Sequence, residues 1–126
     1  MSWFRFCSII CAVWGVAFFF LARLGNRIFA YDYVENLRAE DWTRLLGLSL
    51  FAVAFVLNAA HTSPNDELKR NVARGVLIFT LGCALLMTYW QVIPDGRWNR
   101  LDIANIVLLY LMSYGLFTKS GLLSRK

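Results

Sequence analysis

The chain has 126 residues, 59% of them hydrophobic and 17% charged, against roughly 45–50% apolar and about 25% charged in ordinary soluble domains. Its net charge of +5 would suit nucleic acid in a soluble protein. Here Lys and Arg stand at the ends of apolar runs and between them, where membrane topology accounts for them, and no basic run is interleaved with aromatics. Nucleic acid is therefore excluded as a partner, and the lipid bilayer takes its place.

Four apolar runs, about 3–22, 43–60, 73–93 and 102–118, are each long enough to cross ~30 Å of hydrocarbon as a helix. They predict an all-α integral membrane four-helix bundle, a single domain over 1–126. In the first run, Arg5 and Gly15-Val16-Ala17 imitate a signal peptide, but the run continues through Phe18-Phe19-Phe20-Leu21 with no polar break, so it is expected to remain as the first span. Ser8, Cys11, Ala12 and Gly15 line one face of it, a pattern that admits a neighbouring helix. Cys7 and Cys11 lie side by side on one helical face and Cys83 is isolated, which makes all three packing residues rather than disulfide partners.

Arg23 closes the first span and Gly25-Asn26 marks a turn into the longest connection, 24–42. Asp32 and Glu35 have capping-box spacing, with Tyr33, Val34 and Leu37 as an apolar face, so this connection carries either a short interfacial helix or an ordered loop with tyrosines at the interface. Glu40 and Asp41 bring negative charge to the start of the second span, where Asp41 can act as N-cap. Along that helix Gly47, Phe51, Ala54, Asn58 and His61 fall on one face, with Asn58 able to bond across to a neighbour. Ser63 as N-cap, Pro64 at the first helical position and Asp66 completing a box start the third helix outside the bilayer, with a weak Asp66/Arg70 pair. Gly75 and Gly82, two turns apart, permit close approach on the third helix. Pro94-Asp95-Gly96 makes a compact turn, Asp102 caps the fourth helix, and the tail after Thr118 is expected to fray.

Chemistry is limited by inventory. A bis-histidine haem needs two imidazoles, and His61 is the only histidine. Zinc spacings, paired solvent-reachable cysteines, the nucleophile elbow, P-loop and dinucleotide fingerprints are all missing from the sequence. Residues 6–22, 45–60, 75–93 and 103–118 contain no Asp, Glu, Lys or Arg, which argues against proton-coupled transport by one subunit. No catalytic residue, metal site or resident cofactor is assigned. One surface gathers Arg44, Tyr89, Trp90, Trp98, Asp102 and Asn105, with Trp42, Gln91, Tyr31 and Tyr33 nearby. It reads as an anchoring aromatic belt or as a shallow cleft for a lipid or quinone, with Arg44 and Asp102 able to pair.

The longer first connection, Arg44-Leu45-Leu46-Gly47 opening the second span, and the compact last hairpin resemble small bacterial four-helix membrane proteins of the DoxX-like kind. That resemblance covers topology over nearly the whole chain and implies an accessory role. The expected function is a non-enzymatic membrane accessory subunit packing through Ser8, Ala12, Gly15, Gly47, Asn58, Gly75 and Gly82 against other membrane subunits or itself. The alternatives are a lipid- or quinone-binding protein using the aromatic surface, and an oligomeric small-molecule transporter. Basic residues divide almost equally between the two sides, and the expected placement is the bacterial inner membrane with both termini cytoplasmic.

Overall fold

The computed structural model describes residues 2–29, 37–92 and 100–123, with the backbone alone at 28, 29, 37–39, 90, 100 and 101. These residues form α1 (Trp3–Phe20), α2 (Ala22–Phe29), α3 (Leu37–Thr62), α4 (Asp66–Val92) and α5 (Arg100–Lys119), and there is no strand among them. Three stretches, Trp3–Phe20, Glu40–Thr62 and Asp66–Tyr89, are long and apolar enough to cross a membrane. The fourth expected span is helical as α5, and its described residues are not among those three stretches. The helices divide into two compact units, Met1–Ala59 and Ala60–Lys126.

In the first unit, Ser2 caps α1 by accepting from the Arg5 amide at 3.3 Å. The helix leaves α geometry at Leu21 (φ −114°, ψ 33°). Yet the Leu21 N–H still reaches the Ala17 carbonyl at 2.8 Å, and the Leu21 carbonyl accepts from Gly25 at 2.8 Å. The chain therefore bends and resumes as α2 instead of turning at Gly25-Asn26, which lie inside that helix. Gly25 serves packing: a Cβ there would stand 3.3 Å from the Phe18 ring. A short helix thus occupies the first connection earlier than the sequence implied, and the expected one over Asp32, Tyr33, Val34 and Glu35 lies outside the described residues.

Leu37 belongs to α3, so Asp41 sits within the helix and is not its N-cap. Buried residues on α3 include Gly47, Leu50, Ala54 and Leu57, spaced three and four apart; on α1 they are Phe4, Cys7, Ser8, Cys11 and Gly15. These stripes meet antiparallel. The Ser8 hydroxyl donates to the Ala54 carbonyl at 2.8 Å. Farther along, a Cβ on Gly15 would lie 3.0 Å from the Gly47 carbonyl oxygen, and one on Gly47 only 2.7 Å from the Phe19 amide nitrogen and 2.9 Å from the Gly15 carbonyl oxygen. Here backbone touches backbone, which requires glycine on both helices.

In the second unit, α4 is capped by Asn65, whose Oδ1 accepts from Glu67 at 2.9 Å and Leu68 at 3.1 Å. Ser63 does not cap it: its hydroxyl accepts from the Asn65 amide at 3.1 Å, closing the preceding turn and leaving the helix end to Asn65. Asp66 pairs with Lys69 at 3.5 Å, one residue nearer than the Arg70 the spacing suggested. The buried side of α4, with Ala73, Val76, Leu77, Thr80, Ala84 and Gln91, packs antiparallel on Ile106, Met112, Ser113 and Leu116 of α5.

Polar rungs run the length of this hairpin. Arg74 Nε donates to the Ser120 carbonyl at 3.0 Å, Ser113 Oγ lies 2.9 Å from Thr80 Oγ1, and Thr88 Oγ1 lies 3.1 Å from the Tyr110 hydroxyl. Asn105 Nδ2 approaches Met87 Sδ at 3.7 Å, and Gln91 Nε2 donates to Asp102 Oδ2 at 3.3 Å. After Thr118, where fraying was expected, the helix runs on to Lys119 and a turn follows over 120–123. Ser120 is fully buried, its hydroxyl donates to the Phe117 carbonyl at 2.6 Å, and Gly121 adopts φ 72°, the left-handed conformation that ends helices. Gly75 and Gly82 do not meet α5: a Cβ on either finds nothing within 4 Å.

Candidate functional site

Two polar clusters stand out, one in each unit. In the first, the α3 face that carries Gly47 into α1 continues backward through Thr43 and Glu40, at helical spacing. It therefore brings both residues to the bend between α1 and α2. Glu40 is 7% exposed, and a carboxylate that buried needs cationic partners. Arg23 supplies its Nε at 3.2 Å, and Arg44 a guanidinium nitrogen at 3.5 Å. Arg44 also reaches Asp41 at 2.9 Å. Beside them the Thr43 hydroxyl donates to Asn26 Oδ1 at 2.6 Å, and the buried Asn26 Nδ2 has no hydrogen-bond partner among the described residues. Both links join residues separated by 17 in sequence, so α2 is tied to α3 at two successive points.

In the second unit, Asp102 (5% exposed) and Gln91 (8%) form a buried pair where α4 ends and α5 begins. Asp102 lies in the first turn of α5 and is not the residue before it, so its carboxylate is directed to Gln91 rather than to capping from outside the helix.

Arg44 contacts Asp41 and Glu40, and Asp102 contacts Gln91, each within its own unit. Asn105 is half-buried against Met87, and Tyr89 is exposed. Trp98, Tyr31 and Tyr33 lie outside the described residues, as does the Trp90 side chain. Trp42, at the start of α3, is 65% exposed, in keeping with an interfacial anchor. No family model, curated protein or solved structure matches this chain.

Of the residues singled out for helix contacts, Ser8, Gly15 and Gly47 come together in the α1–α3 seam, with Ala12 half-buried between them. Asn58 is exposed and His61 half-buried. The face drawn through Phe51, Asn58 and His61 is rotated from the actual stripe, because Leu50 and Leu57 take the buried places beside Gly47 and Ala54. The sequence reading named Arg23, Asn26 and Glu40 separately, as helix end, turn and first-turn acid, and did not bring them together with Thr43. Extending the Gly47 face back by one and two turns would have found Thr43 and Glu40. Among the described residues, no group of three His, Cys, Asp or Glu is placed to hold a metal ion. The polar contacts join one helix to another, which is work of assembly.

Proposed function

We propose that this chain is a non-enzymatic integral membrane subunit that packs against a larger membrane complex. The observation that carries the reading is the outer face of α4. Asn71, Gly75, Ile78, Gly82, Leu85 and Tyr89 follow one another four and three residues apart, directly opposite the face packed on α5, and all are exposed. Glycines alternating with large side chains are the surface that another membrane helix fits most closely.

Two further points support it. Only 28% of each apolar window is buried, leaving most of each helix to lipid or to other protein. Polar residues of α5 bond to α4 along the hairpin, so the two helices can cross as a pair with α5 as the fourth span. The topological likeness to DoxX-like proteins points the same way, and with it goes a bacterial inner membrane with both termini cytoplasmic, an orientation that the near-equal division of basic residues leaves open. The lipid- or quinone-binding alternative draws less support, since Arg44 and Asp102 are already engaged by neighbours.

The test is extraction of the native assembly in mild detergent, with wild-type and Gly82→Leu chains compared. The expected result is a defined set of co-purifying membrane proteins, lost from the variant at unchanged thermal stability. A chain recovered alone, with a small molecule bound near one to one, would replace this reading with the ligand-binding one.

A further inference from the structure

The helix α2 has a position and a charge pattern that the accessory-subunit reading does not use. Its sequence, Ala-Arg-Leu-Gly-Asn-Arg-Ile-Phe, contains two arginines and no acid. Arg23 and Arg27 stand one turn apart on the same side and are both exposed. Phe20 and Leu21 at the bend, and Leu24 one turn on, are 70%, 53% and 50% exposed. A helix with exposed apolar residues beside an arginine pair is soluble in neither water nor hydrocarbon alone, and the boundary between them satisfies both sides.

The neighbouring helices bear on its depth as well. Along α3 the charged residues end at Arg44 and the apolar run begins at Leu45. The ties from α2 reach Glu40 and Thr43, on the polar side of that border and within two turns of it. On the other flank α2 starts two residues after the apolar α1 ends. Both anchors therefore hold it level with the headgroups, where Trp42 is also exposed. The two bonds to α3 restrict rotation of α2 about its axis, so the arginine side has a set direction.

We infer that α2 lies in the headgroup layer and holds the phosphate of an anionic phospholipid through Arg23 and Arg27. The inference rests on α1 and α3 spanning a membrane and is independent of any protein partner. Charge complementarity selects the occupant: guanidinium groups form paired hydrogen bonds to phosphate oxygens, and an anionic lipid retains net charge where a zwitterionic one does not. Arg23 keeps its contact with Glu40, and its side chain is 60% exposed.

The full chain, in nanodiscs of phosphatidylglycerol mixed equally with phosphatidylcholine, is released into the gas phase and its retained lipids are identified by native mass spectrometry. Phosphatidylglycerol should dominate the adducts. Arg27→Gln should weaken that preference about fivefold, the effect of one basic residue at a charged surface, and Arg27→Lys should restore most of it. A second measurement does not depend on arginine variants. In a cysteine-free chain, Leu24→Cys carrying an environment-sensitive dye should be quenched by headgroup-region quenchers and spared by those at the bilayer centre. Equal retention of the two lipids by the wild type, an Arg27→Gln chain indistinguishable from it, or deep quenching at position 24 would each overturn the inference. Displacement of the lipid by millimolar inorganic phosphate would also overturn it, by assigning the arginines to a soluble anion.

Discussion

The two halves of this chain join antiparallel helices by opposite means. In the first, α1 and α3 meet through their backbones at Gly15 and Gly47, with one side-chain bond at Ser8. In the second, α4 and α5 are connected by rungs from Arg74–Ser120 to Gln91–Asp102, while the glycines of α4 face away. The contrast teaches that a glycine in a membrane helix marks a place where something approaches closely, but not what approaches. The glycine seam depends on volume and tolerates little change in size. The polar ladder depends on direction, and its rungs act one by one.

The largest expected effect is at the seam. A Cβ at Gly47 would meet backbone atoms of α1 at 2.7 and 2.9 Å, which cannot move aside like the end of a flexible side chain. Gly47→Ala should cost ~1–3 kcal/mol and Gly47→Leu more, read as a fall in thermal stability of the detergent-solubilised protein. Unchanged melting of both variants would mean that α1 and α3 are not in contact there.

Next is the buried acid beside the seam. Glu40→Ala removes the shared partner of Arg23 and Arg44 and should cost about 1–2 kcal/mol, below the ~3–5 expected for breaking a deeply buried pair, because Arg23 stays largely hydrated and Arg44 keeps Asp41. Loss of protease protection over the bend and α2, measured in nanodiscs, would locate the damage there. Protection identical to wild type would show that Glu40 does not hold α2 in place.

The ladder should respond more weakly. Thr80→Val and Ser113→Ala each remove one side of the 2.9 Å contact, and a double-mutant cycle should give a coupling of about 0.6 kcal/mol, typical of hydrogen bonds between membrane helices. A coupling near zero would make the rung a coincidence of packing. Smallest of all is Gly82→Ala: with nothing within 4 Å of the added methyl, stability should hold or rise by up to ~1 kcal/mol from helix propensity. A clear loss in the isolated chain would show that this face is already occupied.

The helices and their apolar extents were legible because hydrophobic run length is a local property. So was the small-residue face Ser8, Ala12 and Gly15, which periodicity marks directly. The bend at Leu21 was not, since it occurs within unbroken apolar sequence and is accommodated by Phe18 resting on Gly25, a contact between turns on either side of it. Helix ends failed for a similar reason. Ser63, Asn65 and Asp66 are all competent caps, and the hydrogen bond from the Asn65 amide to Ser63 decided among them. The Glu40 cluster stayed hidden because its members come from separate helices. The partners of Arg44 and Asp102 within their own units, Asp41 and Gln91, were likewise not read from their positions near helix ends.

The Arg74–Ser120 contact has a practical side. It latches the beginning of α4 to the end of α5, and the chain emerges through Gly121 immediately beyond the latch. A fusion made directly after Lys126 would be attached six residues from the residue that closes the hairpin. A bulky reporter on a short linker would pull on that latch and, through Arg74, on the opening turns of α4. A reporter chosen to reveal where the tail lies thus needs a linker long enough to leave Ser120 in place.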